Sequence, residues 1–207
     1  MPSSRSARTA AAVLALINWG ALALQLYLLL AANNAQGIPI TLTLTNFFSF
    51  FTILSNLLVA VVLTRIILGA EQPGLEAAAA VYISVVGIGY SLLLRHIWDP
   101  QGLQKLADVL LHDVVPLLYV LCWFVFWGRR RALPWKSAFV WLIWPAIYLA
   151  YSMVRGSITG WYPYHFLDPA QAGVAPVISV IAIFLLSFTA LGFAAVALTR
   201  RNSPDTR

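Results

Sequence analysis

The sequence predicts an all-α fold, a polytopic membrane bundle of six transmembrane helices with both termini in the cytoplasm. Three observations lead there. The chain of 207 residues is 61% hydrophobic and only 10% charged, whereas a soluble domain carries roughly a quarter charged residues. Its apolar residues gather into six runs of about 20, the length that bilayer hydrocarbon demands of a helix. With the N-terminus placed inside, ten of the 13 cations lie in the inner segments: Arg5, Arg8, Arg65, Arg129, Arg130, Arg131, Lys136, Arg200, Arg201 and Arg207. Only Arg95, Lys105 and Arg155 remain outside, the bias that sets orientation in membranes.

The first run covers 10–32, and no charged residue occurs between Thr9 and Thr64. Arg5 and Arg8 ahead of an apolar stretch with Ala-Leu-Ala at 21–23 also fit a signal peptide. The run is too long for a signal's apolar core, so it reads as a helix. NNAQGIP then supplies turn chemistry before the second run, 44–68. The third, fourth, fifth and sixth runs are 77–94, 106–127, 137–154 and 174–198. Nothing marks a soluble domain, a low-complexity tract or an internal repeat, so 1–207 reads as a single transmembrane domain.

The net charge of +6 calls for no nucleic acid. It lies mainly in inner loops and tails, where it fixes topology and meets anionic lipid. Arg129, Arg130 and Arg131 are open to a specific lipid-head role as well. The lone Cys122 forms no internal disulfide, and no Cys/His zinc spacing occurs. No cofactor is expected. The alanine- and arginine-rich composition suggests a bacterial source and hence the cell membrane.

Polar residues gather at one side of this topology. His96, His112, His165, Arg95, Asp99, Asp108, Asp113, Arg155 and Asp168 all fall in the outer half or outer loops. Ionisable groups inside a span are costly and point to function. Asp108 and His112 are four residues apart and share a helix face, so the carboxylate is placed to orient the imidazole of a general base. Asp113 points about 100° away. Asp108 also suits the first turn of a helix, where a carboxylate is favoured.

In the second run, Thr45, Ser49, Thr52 and Asn56 follow steps of four, three and four and are expected along one helical face. Such a stripe serves helix packing or a site. Counted from 44 and 106, Thr52 and His112 lie about 12 and about 9 Å deep, a common level for a nucleophile and its base. Arg95, Tyr162 and His165 are supporting candidates. The loop RGSITGWYPYHFLD is read either as a lid or as an interfacial aromatic belt.

FFSFFTILSNLL at 47–58, LLHDVVPLLY at 110–119 and GWYPYHFLD at 160–168 resemble the androgen-induced membrane hydrolases. That family includes the androgen-dependent TFPI-regulating protein and bacterial membrane relatives. The likeness follows most of the chain by order and spacing. It implies a threonine hydrolase of fatty-acyl esters, with Thr52 as nucleophile and His112 as base. The histidine-to-proline spacing here is one residue shorter than in the animal pattern, and Ser49, a turn from Thr52, is an alternative nucleophile.

The leading expectation is therefore a lipid-ester hydrolase whose lipid-like substrate arrives from the outer leaflet. Thr52 and His112 act with Asp108, or Asp113, as orienter, and with Asn56 or Ser49 as oxyanion donor. A zinc hydrolase built on His96, His112, His165 and outer aspartates is a second reading. A transporter or lipid-binding protein, with Asp108 and His112 as a proton relay, is a third. Broken helices and repeats, which mark many transporters, are not evident in the sequence, and a homo-oligomer is open.

Overall fold

A computed structural model of the protein describes residues 4–128 and 131–201. Among these residues there are helices and no strands. Five helices among the described residues are long and apolar enough to cross a membrane: Arg5–Ala35, Pro73–Leu94, Gly102–Trp127, Lys136–Thr159 and Val174–Arg201. They are called here the first, third, fourth, fifth and sixth spans. The second is a pair of helices, Ile40–Phe47 and Phe51–Ile67, bent by 75° at a short break.

Local signals account for the ends. Ser4 caps the first span by accepting a hydrogen bond from the Ala7 amide at 3.2 Å. Pro73 opens the third, where its missing N–H costs nothing. Glu76 reaches back to the Gln72 amide at 3.0 Å and closes that turn. Gly160 ends the fifth span in the left-handed region, with φ of 70°, a conformation that suits a residue without Cβ.

The core lies where the first helix, Phe51–Ile67 and the third span meet. Ala77, Ala78, Ala79 and Ala80 are all buried, and such small side chains let helices approach closely within a membrane. Asn18 crosses this contact to donate to the Asn56 carbonyl at 2.8 Å. The sixth span turns most of its surface outward. Its Phe188 packs on Phe51 and Tyr82, and Gly192 lets it close on Ala138.

The expectation of one continuous second helix is corrected. Ser49 lies in the break, so the face holding Thr45, Ser49, Thr52 and Asn56 does not exist as one face. Thr52 and Asn56 keep theirs, since Asn56 Nδ2 donates to the Thr52 carbonyl at 2.9 Å. No proline or glycine produces the bend. Tertiary bonds hold it: Tyr148 donates its hydroxyl proton to the Ser49 carbonyl at 3.0 Å, and Arg155 donates to Ser49 Oγ at 2.7 Å. The depth count for Thr52 along a straight helix from 44 is replaced accordingly. Thr52 sits in the first turn of Phe51–Ile67.

The third span contains one wide turn closed by an i→i+5 bond, and the fourth contains two, at Leu110–Val114 and Trp123–Trp127. Arg95 donates to the Tyr90 carbonyl at 2.9 Å, and Val115 donates to Leu110. The turn at Leu110–Val114 has a physical cause. Pro116 has no N–H for the His112 carbonyl, so the helix widens just before it. At the same place Gly87 packs so close that a Cβ there would stand 3.3 Å from the His112 carbonyl oxygen. The fourth helix begins at Gly102, which puts Asp108 beyond its first turn and withdraws the helix-start explanation for that residue.

Candidate functional site

Phe51–Ile67 starts inside the bundle without a side-chain cap. The first amides of a helix have no partner within it and carry its positive dipole end. Thr52 therefore stands where backbone donors are concentrated. Its own amide donates to the Tyr164 hydroxyl at 3.4 Å. Burial raises the Tyr164 pKa above its ordinary value of 10.0, with the Thr52 hydroxyl acting in the opposite direction. Tyr164 is a neutral hydroxyl at physiological pH.

A cavity of about 60 Å³ opens beside this helix end. Thr52 contributes the one aliphatic hydroxyl to a wall of Val86, Tyr90, Tyr148, Tyr164 and Phe188, with Leu167 beyond. Polar groups are few and apolar surface dominates.

Tyr90 forms the partition between this cavity and a charged cluster. Its hydroxyl donates to Asp108 Oδ2 at 2.5 Å, and its ring stacks on His112 with centroids 4.0 Å apart and planes 17° apart. His112 Nδ1 lies 3.0 Å from the Asp108 carbonyl oxygen and 3.1 Å from Asp108 Oδ1. Two acceptors at Nδ1 place the proton there in the neutral ring and leave Nε2 as the basic nitrogen. The four-residue spacing thus brings Asp108 and His112 together as expected. Arg95 pairs with Asp113, and its guanidinium stands 5.0 Å from the Tyr90 ring centroid.

Thr52 and His112 are not joined by a hydrogen bond among the described residues. His112 lies one ring behind the cavity wall, with Tyr90 between. The two helices do meet, through Asn56 Nδ2 donating to the Leu111 carbonyl at 3.2 Å. That bond and the one to Thr52 O occupy both amide protons of Asn56, leaving none for an oxyanion. Ser49 is also committed: it donates to the Thr45 carbonyl at 2.6 Å and receives from Arg155. It is absent from the cavity wall.

The loop contributes Tyr164 to the site. Tyr162 instead lies over Gly156, where an added Cβ would stand 2.1 Å from its ring. His165 is exposed and meets the edge of Phe166 at 5.5 Å. His96 is exposed as well. Among the described residues no group of three His, Cys, Asp or Glu converges as metal ligands, so the zinc reading finds no ligand set. Of the arginine triplet, Arg129 and Arg130 lie outside the described residues, as does Arg207.

Tyr90, Tyr148 and Tyr164 escaped the sequence reading. Tyr90 and Tyr164 lie near span ends, where tyrosines look like interfacial anchors, Tyr148 sits mid-span, and only Tyr164, within WYPY, carried a local hint. Comparison with protein-family models, curated proteins and solved structures finds no match.

Proposed function

We propose that this multi-pass membrane protein is a lipid-ester hydrolase, related in mechanism to the androgen-induced membrane hydrolases, with Thr52 as nucleophile. The supporting observation is the position of Thr52 in the first turn of an uncapped helix, on the wall of an apolar cavity and against the Tyr164 hydroxyl. An ester carbonyl bound there lies beside the rings of Tyr90, Tyr148, Tyr164 and Phe188. In this reading Thr52 Oγ attacks the carbonyl carbon. Tyr164 and the uncommitted amides of the helix start stabilise the oxyanion, a contribution that is often the largest in acyl transfer. His112 Nε2 receives the threonine proton and returns it to the departing alkoxide, while Asp108 holds the ring. Water then hydrolyses the acyl-threonine.

This sequence of steps requires Tyr90 to turn aside when substrate binds, since its ring separates His112 from the cavity. The cytoplasmic placement of both termini and access from the outer leaflet belong to the same proposal, resting on the distribution of Lys and Arg.

The test is labelling by a fluorophosphonate probe in membranes. Label on the wild type, lost in Thr52→Ala and His112→Ala and retained in Ser49→Ala, is the expected pattern. Undiminished labelling of Thr52→Ala, or none of a folded wild type, overturns the reading.

A second reading rests on the broken second span, which the sequence did not reveal. Interrupted helices with exposed dipole ends line substrate sites in many transporters. In that case Asp108, His112 and Asp113 form a proton path. Proteoliposomes loaded with a pH-sensitive dye would show a proton flux that Asp108→Asn abolishes.

A further inference from the structure

Arg155 lies on the fifth span about one turn before Gly160, and its guanidinium is held on two sides. Nη1 donates to Ser49 Oγ at 2.7 Å, and Nη2 donates to Asn46 Oδ1 at 2.5 Å. The Trp161 ring covers one face, with its centroid 4.3 Å from the guanidinium carbon. Ser49, one of the two acceptors, is fully buried. The charge is thus positioned by neutral groups. Among the described residues no carboxylate comes within ion-pair distance of Arg155, whereas Arg95 has Asp113. Of the five N–H donors of an arginine, the two bonds above occupy two and leave a planar fork suited to an anionic oxyacid.

The surroundings indicate where that anion comes from. Ile147, Tyr151, Val154 and Ile158 are 58%, 42%, 58% and 78% exposed. Their spacing places them along one face of the fifth span, and Arg155 follows Val154 at its margin. An apolar stripe exposed on a membrane helix faces acyl chains. Trp161 prefers the depth of lipid headgroups, and Tyr151, whose hydroxyl lies 3.0 Å from Ser49 Oγ, adds a polar tip beside the stripe. A lipid with its tails on Ile147 and Val154 carries its phosphate to the level of Arg155. A free anion would use none of that surface.

We infer that Arg155, braced by Ser49 and Asn46 and capped by Trp161, binds the phosphate of an anionic phospholipid whose tails lie along the exposed stripe of the fifth span. The site is distinct from the Thr52 cavity and does not depend on hydrolysis. Because the same guanidinium holds Ser49 and Asn46 at the break of the second span, an occupied site also fixes that break from the lipid side.

The test is native mass spectrometry of the full-length protein in detergent, titrated with phosphatidylglycerol or with phosphatidylcholine bearing the same tails. Inorganic phosphate is added as competitor. The wild type is expected to retain one phosphatidylglycerol in preference to phosphatidylcholine. Arg155→Gln weakens that retention about ten-fold, as befits loss of a charge-assisted bond. Arg95→Gln and Thr52→Ala leave it unchanged. Trp161→Leu, which keeps the cation and removes its cap, gives a smaller loss and serves if Arg155→Gln fails to fold. Equal retention of both lipids by the wild type overturns the inference, as does equal loss in Arg155→Gln and Arg95→Gln. Full displacement by millimolar inorganic phosphate overturns it in favour of a free-anion site.

Discussion

Tyr90 on the third span and Asp108 on the fourth meet through a hydroxyl-to-carboxylate bond of 2.5 Å, while the same Tyr90 ring lies flat on His112. One side chain thus fixes both the carboxylate and the imidazole that it orients. Asp108 is buried, and the two groups bonded to its carboxylate are Tyr90 and His112.

Tyr90→Phe is expected to keep the stacking and remove the donor from Asp108. Leaving a buried carboxylate short of a partner costs about 1–3 kcal/mol, read as a lowered melting temperature in detergent. Asp113→Asn, which breaks the more exposed pair with Arg95, should cost less than about 1 kcal/mol. Equal losses in the two variants would contradict this ranking.

Asn56→Leu should destabilise the bundle by about 2–4 kcal/mol, since one amide ties Thr52 O to Leu111 O across the second and fourth spans. Combined with Asn18→Leu it should cost less than the two losses added together, because Asn18 bonds to the Asn56 backbone. A double-mutant cycle on unfolding decides the point. Strict additivity would mean that the two amides do not share a network.

Two glycine-to-alanine changes should act in opposite senses. In Gly156→Ala the new methyl meets the Tyr162 ring, which has to move, at a cost of about 1–3 kcal/mol. Gly20→Ala meets nothing within 4 Å in the middle of a helix and should stabilise by roughly 0.5–1 kcal/mol. Parallel melts of the two variants test this, and limited proteolysis of the 160–168 loop should rise in Gly156→Ala alone.

Stability should fall as pH rises above about 10, with a contribution from Tyr164. Its folded pKa is raised by burial above the 10.0 of an exposed tyrosine. The unfolded chain loses that proton first, so the stabilisation is intact below pH 10 and is lost as pH climbs toward the folded value. Tyr164→Phe should flatten the decline seen in melts between pH 9 and about 11. An unchanged slope would count against a buried Tyr164 hydroxyl.

Five of the membrane-crossing helices were legible in the sequence because length and apolarity are local properties of a run. The contact of Asp108 with His112 was legible for the same reason, since four residues make one helical turn. The break at Ser49 was not. FFSFF contains no proline or glycine, and the bend is imposed by Tyr148 and Arg155, about 100 residues further along the chain. Tyr90 was likewise invisible: its role comes from partners 18 and 22 positions away on another helix. The same distance problem separates Tyr164 from Tyr162, two similar residues of one loop that the fold sends to different neighbours.

The break in the second span also acts on the surrounding lipid. Phe51–Ile67 has 17 residues, about 25 Å of helix at the usual rise, against a hydrocarbon layer of about 30 Å. Such hydrophobic mismatch is relieved by local thinning of the bilayer, at a fraction of a kcal/mol per ångström. Where the bilayer thins at that helix, the glycerol ester bonds of neighbouring lipids come closer to the level of Thr52 than they would in a flat membrane.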